Sequence, residues 1–318
     1  MRDMLDRQVR MLRSAMGAGI GAALEDSGVV EILANPDGSI WIDRLTEGRS
    51  FTGLILSAAD RDRIIRLVAS LTGLDVHSGA PILSAELPLS GERFEGVLPP
   101  VAHGPAFAIR KRAAGVIPLD VYVEQKIMTT EIAASLRQAI EARKNIVIAG
   151  GTSSGKTTLA NALLNEIADA GERILVLEDT IELQCPAQDS VALRTRPGIA
   201  SMTELVRSTL RLRPDRIIVG EVRGPEALDL LKAWGTGHPG GVATLHASSA
   251  YGALLRLEQL IQEAVITVPR ALIAETVDIV LFLSGRGKAR RVAEMLSIDG
   301  LDPSGNYRIA PLLKGEWL

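Results

Sequence analysis

The stretch GGTSSGKT, residues 150–157, carries the residue types that hold a nucleotide's phosphates. It fits G-x-x-x-x-G-K-[ST], with an apolar run, NIVIAG, feeding it and a helix-patterned run, TTLANALLNEIADA, leaving it. Glycines let the backbone curl round an anion, amide groups then point inward, and a helix start adds favourable partial charge. The candidate nucleotide ligands are Gly150, Gly151, Thr152, Ser153, Ser154, Gly155, Lys156, Thr157 and Thr158. Lys156 is expected to reach the β- and γ-phosphates and Thr157 to hold Mg²⁺.

Phosphate chemistry also needs a carboxylate. RIIVGE is an apolar strand ending in Glu221, where a group could polarise a water near the γ-phosphate. Gly220 stands where an acidic pair would place its first member, and Asp215 lies at the strand's other end. Glu221 therefore acts alone or shares a metal, and VLEDT supplies the partner through Glu178 and Asp179. Arginines offer counter-charge: Arg194 and Arg196, then Arg207, Arg211 and Arg213, with Arg110, Lys111 and Arg112 earlier in the chain. As a group they suggest phosphate contacts made across a subunit interface, with Arg211 the catalytic candidate among the later ones.

GTGHPGGVATLHASS holds two of the four histidines, His238 and His246. Zinc is a poor reading, because no Cys, Asp or Glu lies between or beside them to complete four ligands. His246 ends an apolar strand, and parallel strands deliver their C-terminal ends to the ligand edge. It could donate to a γ-phosphate oxygen. His238 reads equally well as a satisfied structural histidine.

These groups need elements to position them. NIVIAG, ERILVLED, RIIVGE and GVATLHA read as buried strands separated by amphipathic helices, which is the pattern of a parallel sheet covered on both faces. A hairpin, RRVAEMLSI and NYRIAPL, closes the chain. Earlier, GVVEILANPDGSIWIDR is a strand, a turn and a strand, and RFEGVLPP and AFAIRKR add short strands. A helix starts at a Ser57–Asp60 capping box, with Ile64, Ile65, Val68 and Leu71 on one face. The N-terminal residues read as an amphipathic helix. The division is an α+β domain over 1–112, a linker over 113–129, and a P-loop domain over 130–318.

The chain has 318 residues, 47% hydrophobic and 23% charged, an ordinary globular balance. Aromatics at 3% leave little for stacking on single-stranded nucleic acid, and a net charge of −3 gives no broad reason to bind DNA. The single cysteine, Cys185, forms no internal disulfide and reads as a core or strand residue. No apolar run approaches the roughly 18–20 residues that span a bilayer. A cytoplasmic protein is expected.

Four motifs in order carry a resemblance over nearly the whole chain: GGTSSGKT, VLEDTIELQ, RIIVGEVRG and TGHPGGVATLHASS. The chain resembles the secretion-superfamily traffic ATPases, hexameric RecA-like motors of type IV secretion, type II secretion and type IV pili. TGHPGG leans toward the type IV secretion branch, and the four-cysteine zinc element of many type II enzymes is absent. The resemblance implies a RecA-like P-loop domain with a smaller N-terminal α+β domain, using ATP and Mg²⁺. It implies a homohexamer at the inner membrane, docked on components of a conjugation or type IV secretion complex. Carried over residue by residue, Lys156 and Thr157 act on phosphate and metal, Glu221 is the catalytic carboxylate, Glu178 belongs to the acidic box, and His246 stands near the γ-phosphate. The metal set is Thr157, Glu178 and Glu221, and Arg110 matches the first domain's phosphate contact. The alternatives are a pilus or type II secretion ATPase and, from another class, a RecA-like DNA-binding ATPase.

Overall fold

A computed structural model describes residues 2–44, 47–88, 90–112, 115–196 and 198–312. They fall into two compact units, Met1–Ala114 and Gly115–Leu318.

The first unit runs α1 (Arg2–Glu25), β1 (Val29–Ala34), β2 (Ser39–Arg44), β3 (Gly48–Ile55), α2 (Ala58–Thr72), β4 (Ile82–Glu86), β5 (Arg93–Val97) and β6 (Ala106–Arg110). Its antiparallel sheet has the order β3-β2-β1-β6-β5-β4. Leu12, Met16 and Ile20 recur every four residues on α1 and are buried with Ile64, Ile65 and Val68 of α2. Gly17 interrupts α1 with a non-helical φ of 73°. Ser57 caps α2 by accepting the Asp60 N–H at 3.1 Å. The expected capping box is half made, because the Asp60 carboxylate accepts the Ser57 hydroxyl at 2.6 Å instead of reaching back to the backbone. The sheet's outer strands, β3 and β4, escape the sequence reading. β3 leaves Phe51, Leu54 and Ile55 exposed, so it has no buried alternation to betray it.

The second unit runs α3 (Leu119–Glu124), α4 (Thr130–Glu141), β7 (Ile146–Gly150), α5 (Lys156–Ile167), β8 (Ile174–Glu178), β9 (Ser190–Arg194), α6 (Met202–Thr209), β10 (Arg216–Val219), α7 (Glu226–Gly235), β11 (Val242–His246), α8 (Ala250–Gln262), α9 (Arg270–Thr276), β12 (Ile279–Ser284), β13 (Arg291–Leu301) and β14 (Tyr307–Pro311). The strand order is β14-β13-β12-β7-β11-β10-β8-β9. β12 through β9 pair in parallel, and the C-terminal hairpin adds antiparallel. Two apolar cores cover the two faces. One is built around Leu231, Trp234, Leu254 and Leu257, the other around Leu136, Leu159 and Leu163. The four strands read from sequence are thus joined by β9 and β12.

The region 113–129 is not simply a connector. Positions 113 and 114 lie outside the described residues. Beyond them α3 buries Leu119 and Tyr122 in the core shared with α4 and α5. Pro118 and the short apolar run hid a helix that begins at Leu119, directly after the proline at its N-cap. Cys185 sits between β8 and β9 rather than in a strand, half-buried against that same core, and burial pushes its thiol pKa up.

Candidate nucleotide site

The parallel strands deliver the chemistry to one edge. β7 ends at Gly150, β8 at Glu178, β10 just before Glu221, and β11 at His246, directly opposite Gly150 in register. Apart from His246, which is exposed at the end of β11, their residues are continuously buried.

The phosphate loop turns through two positive φ values, 60° at Ser153 and 96° at Gly155. For serine that region costs on the order of 1 kcal/mol, a strain typical of functional loops. A side chain at Gly150 would come within 2.5 Å of Ser154 Oγ and 2.8 Å of the Leu283 carbonyl, so only glycine fits there. Lys156 opens α5 and is buried, with Nζ donating to the carbonyls of Gly150 at 3.1 Å and Gly151 at 3.0 Å. Thr157 and Thr158 follow on the first turn, partly exposed.

Glu221 meets three cations or donors. Arg223 donates to Oε2, His246 Nε2 lies 2.9 Å from Oε1, and Lys156 acts electrostatically. Burial pushes the Glu221 pKa up, but the Arg223 hydrogen bond and these charges outweigh it and hold the carboxyl below its ordinary value. The His246 approach is off the line of a hydrogen bond, and Oε1, buried, has no hydrogen-bond partner. Ser154 Oγ is in the same condition. Lys156 Nζ closes the chain at 3.4 Å from His246 Nδ1.

Glu178 and Asp179 play different parts. Glu178 is buried, and its Oε1 accepts the N–H groups of Glu182 at 2.9 Å and Leu183 at 2.7 Å, bending the chain after β8. Gly220 makes room for it: a Cβ there would stand 3.0 Å from Glu178 Cγ. Any side chain at position 220, acidic or not, would crowd Glu178 as it now stands. Asp179 accepts from the Thr195 hydroxyl at 2.9 Å and lies 3.6 Å from Arg223.

Arg223 and Asn161 are the residues that sequence reasoning missed. Arg223 bridges Asp179 and Glu221, and its position two residues past the strand-end glutamate was the available signal. Asn161, buried on α5, donates to Glu182 O at 3.2 Å and accepts from Gln184 N at 2.8 Å, tying the acidic segment to the phosphate-loop helix. An amide inside LANALL was its signal.

The other expected cations have the following partners within their own units. Arg207 pairs with Asp229 at 2.9 Å, joining α6 to α7. Arg211 is exposed and carries no side-chain ion pair among the described residues. Arg194 Nε donates to the Asp179 carbonyl at 3.3 Å. Arg110 ends β6 in the first unit, between Glu31 and Arg93 in register, and Lys111 there donates to Asp26 O at 2.7 Å.

The two histidines part company. His238 precedes β11, at the edge of the sheet opposite the phosphate loop, with Nδ1 2.8 Å from Pro214 O. The glycines after it are structural. Asn145 Oδ1 accepts the N–H groups of Gly240 at 2.8 Å and Gly241 at 2.9 Å, and a Cβ at Gly241 would meet Trp234 Nε1 at 2.0 Å.

A phosphate cradle, an ionised strand-end carboxylate and an imidazole touching both define an ATP-hydrolysing P-loop enzyme. The family model for type II/IV secretion system proteins matches residues 27–284, and the chain belongs to that family. It is 50% identical over 296 residues to the conjugal transfer protein TrbB of Rhizobium radiobacter, covering 92% of this chain and 91% of that one. It is 34% identical over 312 residues to the type IV secretion system protein PtlH of Bordetella pertussis, covering 86% and 91% of the two chains. In fold it is similar to the ATPase DotB of Legionella pneumophila, with a TM-score of 0.59 at 19% identity over 91% of this chain and 77% of that one. No helix among the described residues is long and apolar enough to cross a membrane.

Proposed function

We propose that this chain is a Mg²⁺-dependent ATPase motor with a RecA-like core. In this reading it works as a homohexamer at the cytoplasmic face of the inner membrane and powers conjugal DNA transfer or the assembly of its pilus. The observation that carries the chemistry is the contact chain Glu221–His246–Lys156 at the ends of three adjacent parallel strands or their loops. The RecA-like assignment is supported by the strand order, in which β11 lies between the phosphate-loop strand and the Glu221 strand. The biological assignment is supported by the 50% identity to a conjugal transfer protein over nearly the whole chain.

The residues suit the nucleotide. Gly150 and Gly155 carry no side chain of their own where the loop curls, and Ser154 Oγ and Glu221 Oε1 are buried without hydrogen-bond partners. Thr157 and Glu221, with Glu178 behind them, are oxygen donors of the kind Mg²⁺ prefers, few enough to leave it waters. Bound Mg²⁺ would neutralise phosphate charge. Lys156 exchanges two carbonyl partners for phosphate oxygens, a gain because both charges then pair. Glu221, kept ionised, orients and polarises the attacking water. His246 keeps the carboxylate aimed and links it to the lysine. Ser249 caps α8 three residues on, accepting the Gly252 N–H at 2.9 Å, so a shift of His246 is carried into a helix.

The test is phosphate release by the full chain with ATP and Mg²⁺, together with transfer frequency in a strain lacking the gene. Lys156→Ala should abolish both. Transfer at wild-type frequency with Lys156→Ala would refute the motor role.

A further inference from the structure

Arg290 is a half-buried cation with no anion paired to it among the described residues. It ends the turn between β12 and β13, its N–H 3.3 Å from Gly287 O. Its Nε is buried without a hydrogen-bond partner, and no carboxylate pairs with it among the described residues. Its electrostatic neighbour is Tyr122 of α3, whose hydroxyl is buried and equally without a partner. Burial pushes the guanidinium pKa down, as it must where a charge lacks compensation.

The position of this cation is specific. Its side chain lies over the bare Cα of Gly155 in the phosphate loop, where a Cβ would meet Nε at 2.9 Å, Cδ at 3.1 Å and Cζ at 3.2 Å. The sheet brings it there. β12 lies beside β7 with Leu283 opposite Gly150, so the chain leaves β12 at the edge where β7 releases the phosphate loop. Gly285, at φ 76°, then turns it back within 3.1 Å of the Arg290 N–H, measured from a built Cβ.

An uncompensated buried charge is unfavourable unless a ligand completes it. We infer that Arg290 is a phosphate-binding residue whose missing anion is the α- or β-phosphate of the nucleoside di- or triphosphate held by residues 150–157. The inference rests on the phosphate-loop reading. It gives the C-terminal hairpin a direct contact with nucleotide, made by the same chain. Gly155, favoured by its left-handed φ, also leaves the space that the guanidinium occupies. Guanidinium suits the task because its planar fork binds two phosphate oxygens at once.

The test measures ADP affinity with a fluorescent ADP and melting temperature without nucleotide, on the full chain, for Arg290→Gln, Arg290→Lys and Lys156→Ala. Arg290→Gln should weaken ADP about tenfold or more and Arg290→Lys less. Neither should lower the nucleotide-free melting temperature, because the charge removed had no partner. ADP affinity unchanged in Arg290→Gln overturns the assignment. So does a fall in both affinity and melting temperature in both variants, which marks a structural residue. If Lys156→Ala binds ADP as tightly as wild type, the phosphate-loop reading fails first.

Discussion

His246 Nε2 lies 2.9 Å from Glu221 Oε1 while its Nδ1 lies 3.4 Å from Lys156 Nζ. One imidazole thus spans the carboxylate expected to polarise water and the lysine expected to hold phosphate. An ammonium only donates, so toward Lys156 the ring nitrogen Nδ1 can serve only as an acceptor. Any movement of Lys156 toward a phosphate removes one of the ring's two neighbours. The histidine is therefore placed to register occupancy.

His246→Ala is expected to retain ATP binding and assembly while hydrolysis falls sharply and transfer is lost. His238→Ala should be milder, because its ring pairs with the Pro214 carbonyl at the opposite edge of the sheet. Steady-state phosphate release and mating frequency measured on both variants check the contrast. Equal losses would mean that the two rings share a role the geometry does not give them.

Glu221→Gln is expected to bind ATP and lose turnover on the order of 10²-fold or more, the usual cost of removing one group that acts in the transition state. Single-turnover phosphate release, with binding measured in parallel, separates the two effects. If turnover persists, attention moves to Glu178, whose Oε1 is engaged by two backbone N–H groups.

Asn145→Ala should destabilise the second unit by on the order of 3 kcal/mol, because it leaves the buried N–H groups of Gly240 and Gly241 and the Thr276 carbonyl without their partner. Denaturant unfolding of the full chain reads this directly. Asn145 lies at the sheet edge away from Lys156, so residual folded protein should bind ATP normally.

Specific ATPase activity is expected to rise with protein concentration if a neighbouring subunit completes the site. The observation behind this is that, in the second unit, Arg207 is paired with Asp229 and Arg211 is exposed with no ion pair among the described residues. Sedimentation and activity on the same dilution series check it. A fully active monomer at high dilution would count against assembly, and Arg211→Ala mixed with Glu221→Gln should then restore nothing.

Much of the second unit was legible because buried parallel strands are continuous apolar runs, and each of NIVIAG, ERILVLED, RIIVGE and GVATLHA became a strand. The phosphate loop was legible because its glycines answer a local backbone demand. β3 was hidden because it shows no buried face, and α3 because its proline looked like a connector. Arg223, Asn161 and Arg290 were hidden for another reason: nothing local distinguishes them from surface or filler polar residues.

Sequence by itself determined which groups stand at strand ends, since the end of an apolar run is a local property. Only the tertiary structure decided their neighbours. The order in which strands lie side by side depends on how helices cross the sheet and bury both faces together. That order sets β11 between β7 and β10, and so sets His246 between Lys156 and Glu221. The same order brings the turn after β12 over Gly155. His238 and His246, eight residues apart in the chain, end at opposite edges of the sheet because a buried strand separates them.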